Sequence, residues 1–564
     1  MKLRTLSFNT TVFGKDITRF APSWILYTVG LLVTIMICFS THCANCTANA
    51  LGATAFAGAI VNFCYALVNT QLLFGDLFQS RSANALHALP LRRESWFAIH
   101  VVSGLLFAFV PNFCFAVTMA LFSGSVPALP WLWLAWSMGT YVFFFGLAIL
   151  CATCVGSRFA LAVVYGIANF GSLLVAWLYD TVYLPMLYGL TTDWEPFLKF
   201  SPVCYATVNI PYDLQLNHSN YLSQHPSELT MTLNPEILGY LAILALVGVI
   251  CGAVALVMYR NRHLETAGDF ITAPWLKPVF LVAYTIAMGI VFQWVLGLFT
   301  GTEWLYLFIG LIVGFFTGQM LLMRTTRIFV KETFMGAGIL IAVTAVSLAL
   351  TILDPFGFSR WVPKSVEVAK IEVGIGSYTL EATEGDDLER LLTYHQTVLD
   401  NRDEDPGDYY MYATTITYTL KNGRTVERYY VIPNLGTAYQ VIIPMLSRPE
   451  VILGDLYENW QTMWKNVDVS DSTGKELHWD EATWESFMTA AVDDCVKGCL
   501  LQNDRAHDPV SRYYALHFQW RVNDELNGGY YYKNVHIQIY PESIYVKDWL
   551  KQQSWYDAAT MDVG

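Results

Sequence analysis

From the N-terminus to Leu353 the chain alternates long apolar runs with short polar breaks. Nine runs approach the roughly 20 residues that a helix needs to cross a hydrocarbon core: Ser23–Ser40, Leu51–Phe74, Trp96–Phe122, Trp131–Val155, Phe159–Tyr179, Ile237–Tyr259, Val279–Phe299, Trp304–Met323 and Phe334–Leu353. Beyond Leu353 the pattern shortens. Val366–Val373 and Tyr378–Ala382 alternate as strands do, and Asp386–Asp400 has helical spacing. Tyr409–Thr419 and Thr425–Ile432 flank Asn422-Gly423, the strongest short signal for a hairpin. Helices are expected over Thr437–Leu446 and Glu481–Leu501. A second hairpin, Tyr513–Val522 with Tyr530–Tyr540, is expected around Asn527 and Gly529. Together these elements predict one small, mostly antiparallel sheet with helices against one face.

Composition supports this division. The chain has 564 residues, 54% hydrophobic and 14% charged. From Asp354 onward it carries 18 Lys and Arg against 33 Asp and Glu, which leaves 15 basic and 13 acidic residues before that point. An apolar membrane part is thus joined to an acidic, water-soluble part long enough for its own core. Of the basic residues before Asp354, only Lys199 falls in a loop on the opposite side from the rest. Basic loops stay in the cytoplasm, so the N-terminus is expected inside and, after nine crossings, the acidic part outside. The opening, MKLRTLSFNTTVFGKDITRFAPSW, is too polar and too long to begin a cleavable signal peptide. Its Lys2, Arg4, Lys15 and Arg19 fit an amphipathic helix on the inner surface, or a solvated basic tail.

The most distinctive polar break is Asp76–Phe97, which holds Arg81, Arg92, Arg93 and Glu94. It has room for a short helix, Ser82–Leu89, stopped by Pro90. Such a helix on the cytoplasmic face can receive force from a soluble partner; a plain basic connector has the same charge pattern. Across the membrane, Trp131, Trp133 and Trp136 suit an aromatic anchor at the interface. The loop Asp180–Glu236 mixes apolar pieces with Pro185, Pro196, Pro202 and Pro211, as short re-entrant helices or an ordinary external loop would.

Chemistry-bearing residues are sparse. His100 and Asn112 lie within the third run beside Pro111, while Asp76, Asp180 and Glu303 lie at run ends. So few intramembrane ionisable groups argue against a proton-coupled pump, and His100 reads as a core or solvated histidine. No GxxxxGK[ST], HExxH or GxSxG occurs, so no catalytic residue, cofactor or metal is expected, and no nucleic acid partner. Asp403, Asp405 and Asp408 read as a solvated acidic turn more readily than a Ca²⁺ loop. Cys43/Cys46 and Cys495/Cys499 fall in the outer part, as free thiols or small disulfides; the other cysteines behave as small hydrophobes.

Three segments carry a family likeness: LHALPLRRE (Leu86–Glu94), RHLETAGDFITAPWLKPVF (Arg262–Phe280) and TYTLKNGRTVERYYVIP (Thr417–Pro433). In this order, after an N-terminal surface helix, they resemble an ABC-2-type transporter permease, of the Gram-positive bacterial subgroup with a C-terminal extracellular domain of unknown function. The residue pattern itself predicts an all-α polytopic membrane domain of about nine transmembrane helices, followed by a small α/β (α+β) extracytoplasmic domain. The resemblance implies that the first six spans are the shared transport unit, and spans seven to nine and the exterior domain exceed the minimal family pattern. Residues 1–22 would form a cytoplasmic interfacial helix and 23–259 a six-helix permease core. Residues 260–353 would add three further spans, and 354–564 the extracellular domain. It also implies a separate ABC ATPase subunit as partner, and a homodimer or a heterodimer with a second permease in the lipid bilayer. In such transporters the N-terminal helix and the loop between spans two and three contact the ATPase. Here these are Thr10–Phe20, with Phe13 and Arg19, and Ser82–Glu94, with Ser82, Leu86, Leu89, Pro90, Arg92, Arg93 and Glu94. The substrate would be apolar or amphipathic, moved outward. A different class of function, a membrane sensor binding a peptide or cell-envelope compound, draws on the tyrosines of the acidic part: Tyr409, Tyr410, Tyr429, Tyr430, Tyr513, Tyr514 and Tyr530–Tyr532.

Overall fold

The computed structural model describes residues 9–40, 46–79, 92–121, 127–216, 229–262, 268–300, 303–376, 378–402, 411–433, 436–458, 460–471, 474–497, 514–524, 529–539 and 543–556. The chain forms two compact units: a helical one, running to Val346 but leaving out Val182–Thr192, and a C-terminal one that takes in Val182–Thr192 and the chain from Ser347.

The helical unit opens with α1 (Thr10–Arg19), whose first amides Thr11 and Val12 donate to the side chain of Asn9. α2 (Ala21–Ser40) follows at a bend of 57°. Pro22, in the first turn of α2, fits the break: it has no N–H to donate back into α1. Then come α3 (Cys46–Leu73), α4 (Arg93–Ala120), α5 (Leu129–Cys154) and α6 (Arg158–Leu178). The segment after α6 folds into two short helices, α7 (Glu195–Lys199) and α8 (Pro202–Val208), and a hairpin of β1 (Tyr212–Leu216) and β2 (Leu229–Leu233). Pro202, Val203, Tyr205 and Ala206 of α8 are buried, so this part of the long proline-rich loop is packed. α9 (Pro235–Asn261), α10 (Leu276–Thr300), α11 (Glu303–Met323) and α12 (Lys331–Leu353) complete the unit.

Among the described residues eight helices are long and apolar enough to cross a membrane, or nine if the bent α1–α2 pair is one span. Every apolar run read from the sequence coincides with a helix. Two contacts set how closely these helices approach. A Cβ at Gly146 of α5 would lie 2.1 Å from the Gly248 carbonyl of α9. Gly310, Gly314 and Gly318 line one face of α11 against Met288, Thr285 and Leu281 of α10. Small residues let helix backbones approach this closely. The tryptophan reading needs correction. Trp131 is exposed, but Trp133 and Trp136 are 2% and 1% exposed and pack with Phe115, Leu129 and Leu241. Their helical spacing turns them inward.

The C-terminal unit holds two sheets, where the sequence pattern pointed to one. β3 (Val368–Ile375), β4 (Tyr378–Ala382), α13 (Gly385–Asp400), β5 (Met411–Leu420), β6 (Thr425–Pro433) and α14 (Thr437–Leu446) form the first module, with strand order β4-β3-β5-β6. After a short helix α15 (Pro449–Ile452), the plan repeats. β7 (Val467–Asp471), β8 (Glu476–Leu477), α16 (Glu481–Val496), β9 (Tyr514–Asp524), β10 (Gly529–Ile539) and α17 (Tyr545–Lys551) give the order β8-β7-β9-β10. All pairings are antiparallel. The unit is thus two copies of one ββαββα topology. The second sheet escaped the sequence because β8 has only two residues, too few to show alternation.

Each module has its own core. The first packs Leu388, Leu391 and Tyr394 of α13 on Ile371, Val373, Ile416 and Tyr418. At its centre His395 lies between two hydroxyls, Tyr418 at 2.7 Å from Nδ1 and Tyr430 at 2.6 Å from Nε2. Burial, aided by the Arg428 charge, lowers the His395 pKa to about 3, so the ring is neutral. Of the tyrosines singled out in the sequence, Tyr430 is core and Tyr429 is exposed; Tyr409, Tyr410 and Tyr513 lie outside the described residues. The second core gathers Trp484, Phe487, Phe518 and Trp549. Asp494, fully buried, accepts from the amides of Ile544, Tyr545 and Val546 and so caps the start of α17. Cys495 beside it is a buried free thiol whose pKa burial pushes up to about 12. α16 ends at Val496, short of the expected Leu501. Cys43, Cys499 and the Asp403–Asp408 turn lie outside the described residues.

Val182–Thr192 belongs to this unit as a strap on the edge strand β6. The Tyr429 amide donates to the Gly189 carbonyl at 3.1 Å, and Leu190 bridges to Arg428. Gly189 has φ +77 and lies against the Tyr430 ring, a place that admits no side chain.

Candidate functional site: a junction of helix ends and the face of α4

Three helix ends meet at the arginine-rich end of the helical unit. α5 stops at Cys154 and α9 at Asn261, and each leaves carbonyls without helical partners at the negative end of its dipole. Arg262 answers the first. Its guanidinium donates to the carbonyls of Ala152 (2.8 Å), Thr153 (3.3 Å), Val155 (2.8 Å) and Leu77 (3.2 Å). Burial lowers its pKa and the nearby Asp76 carboxylate opposes that shift. Arg93, in the first turn of α4, answers the second, donating to the carbonyls of Arg260 (3.2 Å) and Arg262 (3.0 Å). Glu94 pairs with Arg260 at 3.2 Å. The segment after α9 returns to the same place: Gly268 N donates to Gly156 O, Thr272 N to Cys154 O, and Asp269 pairs with Arg324 at 3.3 Å. Exposed Arg92 and Arg260, with Arg93 and Glu94, border an open hollow of about 400 Å³.

A second element reaches α4 from α1. Val12, Phe13, Ile17 and Phe20 follow the spacing of one helix face, and Asp16 lies on that face among them. Asp16 is 6% exposed, and its Oδ2 lies 2.8 Å from His100 Nδ1 and 3.4 Å from Ser103 Oγ, both on α4. His100 is thus a buried core histidine with a carboxylate partner. Phe13 is half-buried, while Arg19 is exposed with its guanidinium 5.2 Å from the Phe20 ring centre.

Below His100 the same face of α4 meets an uncharged polar network. Tyr141 OH donates to Gly104 O at 2.9 Å and accepts from Asn69, which accepts from Ser23. Tyr65 OH donates to Phe107 O at 3.1 Å. That carbonyl lies four residues before Pro111, so it is the one the proline leaves without a helical N–H. Farther along, Tyr27 OH donates to Asn112 at 2.9 Å, and Asn62 donates to Ser137 O and Thr140. One side of α4 is therefore polar and hydrogen-bonded for much of its length.

Of the residues singled out for coupling, Arg92, Arg93 and Glu94 begin α4 and Phe13 and Arg19 lie on α1. Ser82, Leu86, Leu89 and Pro90 lie outside the described residues. Sequence reading missed Asp16, Arg262 and the α4 network. Asp16 had a signal, a carboxylate amid an otherwise apolar helix face; Arg262 had none beyond its charge. Among the described residues no group of three or more His, Cys, Asp and Glu is placed to hold a metal. No family model, no curated protein and no solved structure matches the chain.

Proposed function

We propose that this chain is the membrane-embedded permease subunit of an ABC transporter. Its arginine-rich end would face the cytoplasm, where a separate ATPase docks. The observation that carries the reading is convergence on α4. Asp16 joins α1 to α4 at His100, and the segment ending in Arg92–Glu94 runs directly into the first turn of α4. The two elements expected to meet an ATPase thus act on one helix, and that helix is tied to the ends of α5 and α9 through Arg93 and Arg262. A push on either element would be felt by this one helix, whose polar face packs into the bundle. The polar face of α4 is uncharged below His100, which suits an amphipathic or apolar substrate better than an ion.

The test compares matched membrane levels of Leu86→Asp and Leu89→Asp with Arg92→Ala/Arg93→Ala, reading copurification and stimulation of a candidate ABC ATPase co-expressed with this chain. Buried apolar anchors at interfaces commonly supply about 2 kcal/mol or more each, against at most about 1 kcal/mol for exposed ion pairs. The leucine variants should therefore uncouple, and the arginine pair should mainly lower yield or disturb orientation. Normal stimulation in both leucine variants would reduce the segment to a connector. For sidedness, alkaline phosphatase fused after Thr383 should be active and after Arg262 inactive; the reverse pattern refutes the cytoplasmic assignment.

A sensor reading draws on a cleft of about 290 Å³ in the C-terminal unit, lined by Tyr188, Ser359, Arg360, Gln396, Leu399, Asp400 and Arg402. Saturable binding of an acidic peptide to the full chain, lost in Arg360→Glu and indifferent to any ATPase, would favour it.

A further inference from the structure

The second sheet of the C-terminal unit carries a histidine pair that the transport reading does not use. His517 of β9 and His536 of β10 are directly opposed in register, with Ser470 of β7 in the same row. Their neighbours Leu516, Phe518 and Ile537 point into the core. Strand alternation therefore puts both imidazoles on the other, solvent-facing side, half-buried in His517 and exposed in His536. The two Nδ1 atoms face each other in hydrogen-bonding contact. Asp468 and Asn534 lie one row away on the same face, opposite Gln519.

Nothing in the fold asks for imidazoles here. The first module has the same strand order, and the matching face of its sheet carries the rows Glu372–Thr417–Glu427 and Gly374–Thr415–Tyr429. Two neutral imidazoles with the same nitrogen turned inward can share only one proton between them. A cation accepts both lone pairs at once.

We propose that His517 and His536 form a bidentate site for a divalent transition-metal ion of the zinc class, in which their facing Nδ1 atoms bind one ion and water completes its shell. Directly opposed residues on antiparallel strands keep their Cβ atoms about 4.5–5.5 Å apart, close enough for two rings to reach one ion at Zn–N distances of about 2.0–2.1 Å. Imidazole selects zinc, copper or nickel over magnesium and calcium. The surroundings also attract cations, since the chain from Asp354 carries 33 acidic residues against 18 basic. Bound metal would staple β10, the edge strand of its sheet, to β9.

The test is calorimetric titration of ZnCl₂ into the tag-free full chain in detergent after chelation. The wild type should bind one Zn²⁺ that both His517→Gln and His536→Gln lose. His478→Gln, which alters an exposed histidine outside the pair, should keep it, and Mg²⁺ should not compete. A readout that needs no variant is labelling with diethyl pyrocarbonate, followed by mass spectrometry, in which Zn²⁺ should protect His517 and His536 together. Absence of saturable zinc binding in the wild type, unchanged binding in both pair variants, or labelling indifferent to Zn²⁺ would each overturn the site.

Discussion

Gly189→Ala is the sharpest perturbation of the C-terminal unit. Gly189 sits at φ +77, and an added Cβ would lie 1.9 Å from Cε1, 2.2 Å from Cζ and 2.5 Å from the hydroxyl of Tyr430. The left-handed conformation alone costs an L-residue about 1–2 kcal/mol. The overlap cannot be relieved cheaply. The Tyr430 ring is 1% exposed, and its hydroxyl is held 2.6 Å from His395. Displacing the ring leaves a buried imidazole nitrogen without its partner, worth a further 1–3 kcal/mol, about. The expected loss is therefore about 2–5 kcal/mol. A urea midpoint for the C-terminal unit, from pulse proteolysis of the detergent-solubilised full chain, measures it. A double-mutant cycle isolates the cause. In a Tyr430→Leu background the ring and hydroxyl are gone, and Gly189→Ala should cost only the backbone share. An equal cost in both backgrounds, or a loss below about 0.5 kcal/mol in the wild type, would refute the contact between strap and core.

Acid should loosen the same module. His395 titrates near 6.5 when unfolded and near 3 when folded, so the unfolded chain binds the extra proton between those values. Stability is full above pH 6.5 and falls by about 1.4 kcal/mol per pH unit below it; in His395→Gln this slope should vanish from the proteolysis midpoints. In the helical unit, Gly146→Leu would drive a side chain into the Gly248 backbone carbonyl, which has no flexible end to move aside, and the variant should lose its monodisperse peak in detergent gel filtration, whereas Gly166→Leu, where the glycine has open space beside it, should keep it. Arg262→Ala removes a charged donor shared by four carbonyls and should cost about 2–5 kcal/mol in thermal unfolding, with Arg262→Lys recovering only part because an ammonium has no fork.

Much of the architecture was legible in the residues themselves. A 3.6-residue helix in an apolar run announces itself without reference to anything distant, so all nine runs reappear as helices. The Asn422-Gly423 hairpin did likewise, because Gly423 takes the positive φ, +82, that the turn demands. Local chemistry also placed Thr437–Leu446 to the residue. Tertiary structure decided what depends on partners far along the chain. Asp16 and His100 are 84 positions apart, and Arg262 reaches carbonyls more than 100 positions away in α5. No periodicity encodes such pairs, since each becomes necessary only when helix ends or buried polar groups meet. The second module was hidden for a related reason: a strand as short as β8 has no pattern of its own, and becomes a strand only because β7 supplies the hydrogen bonds beside it.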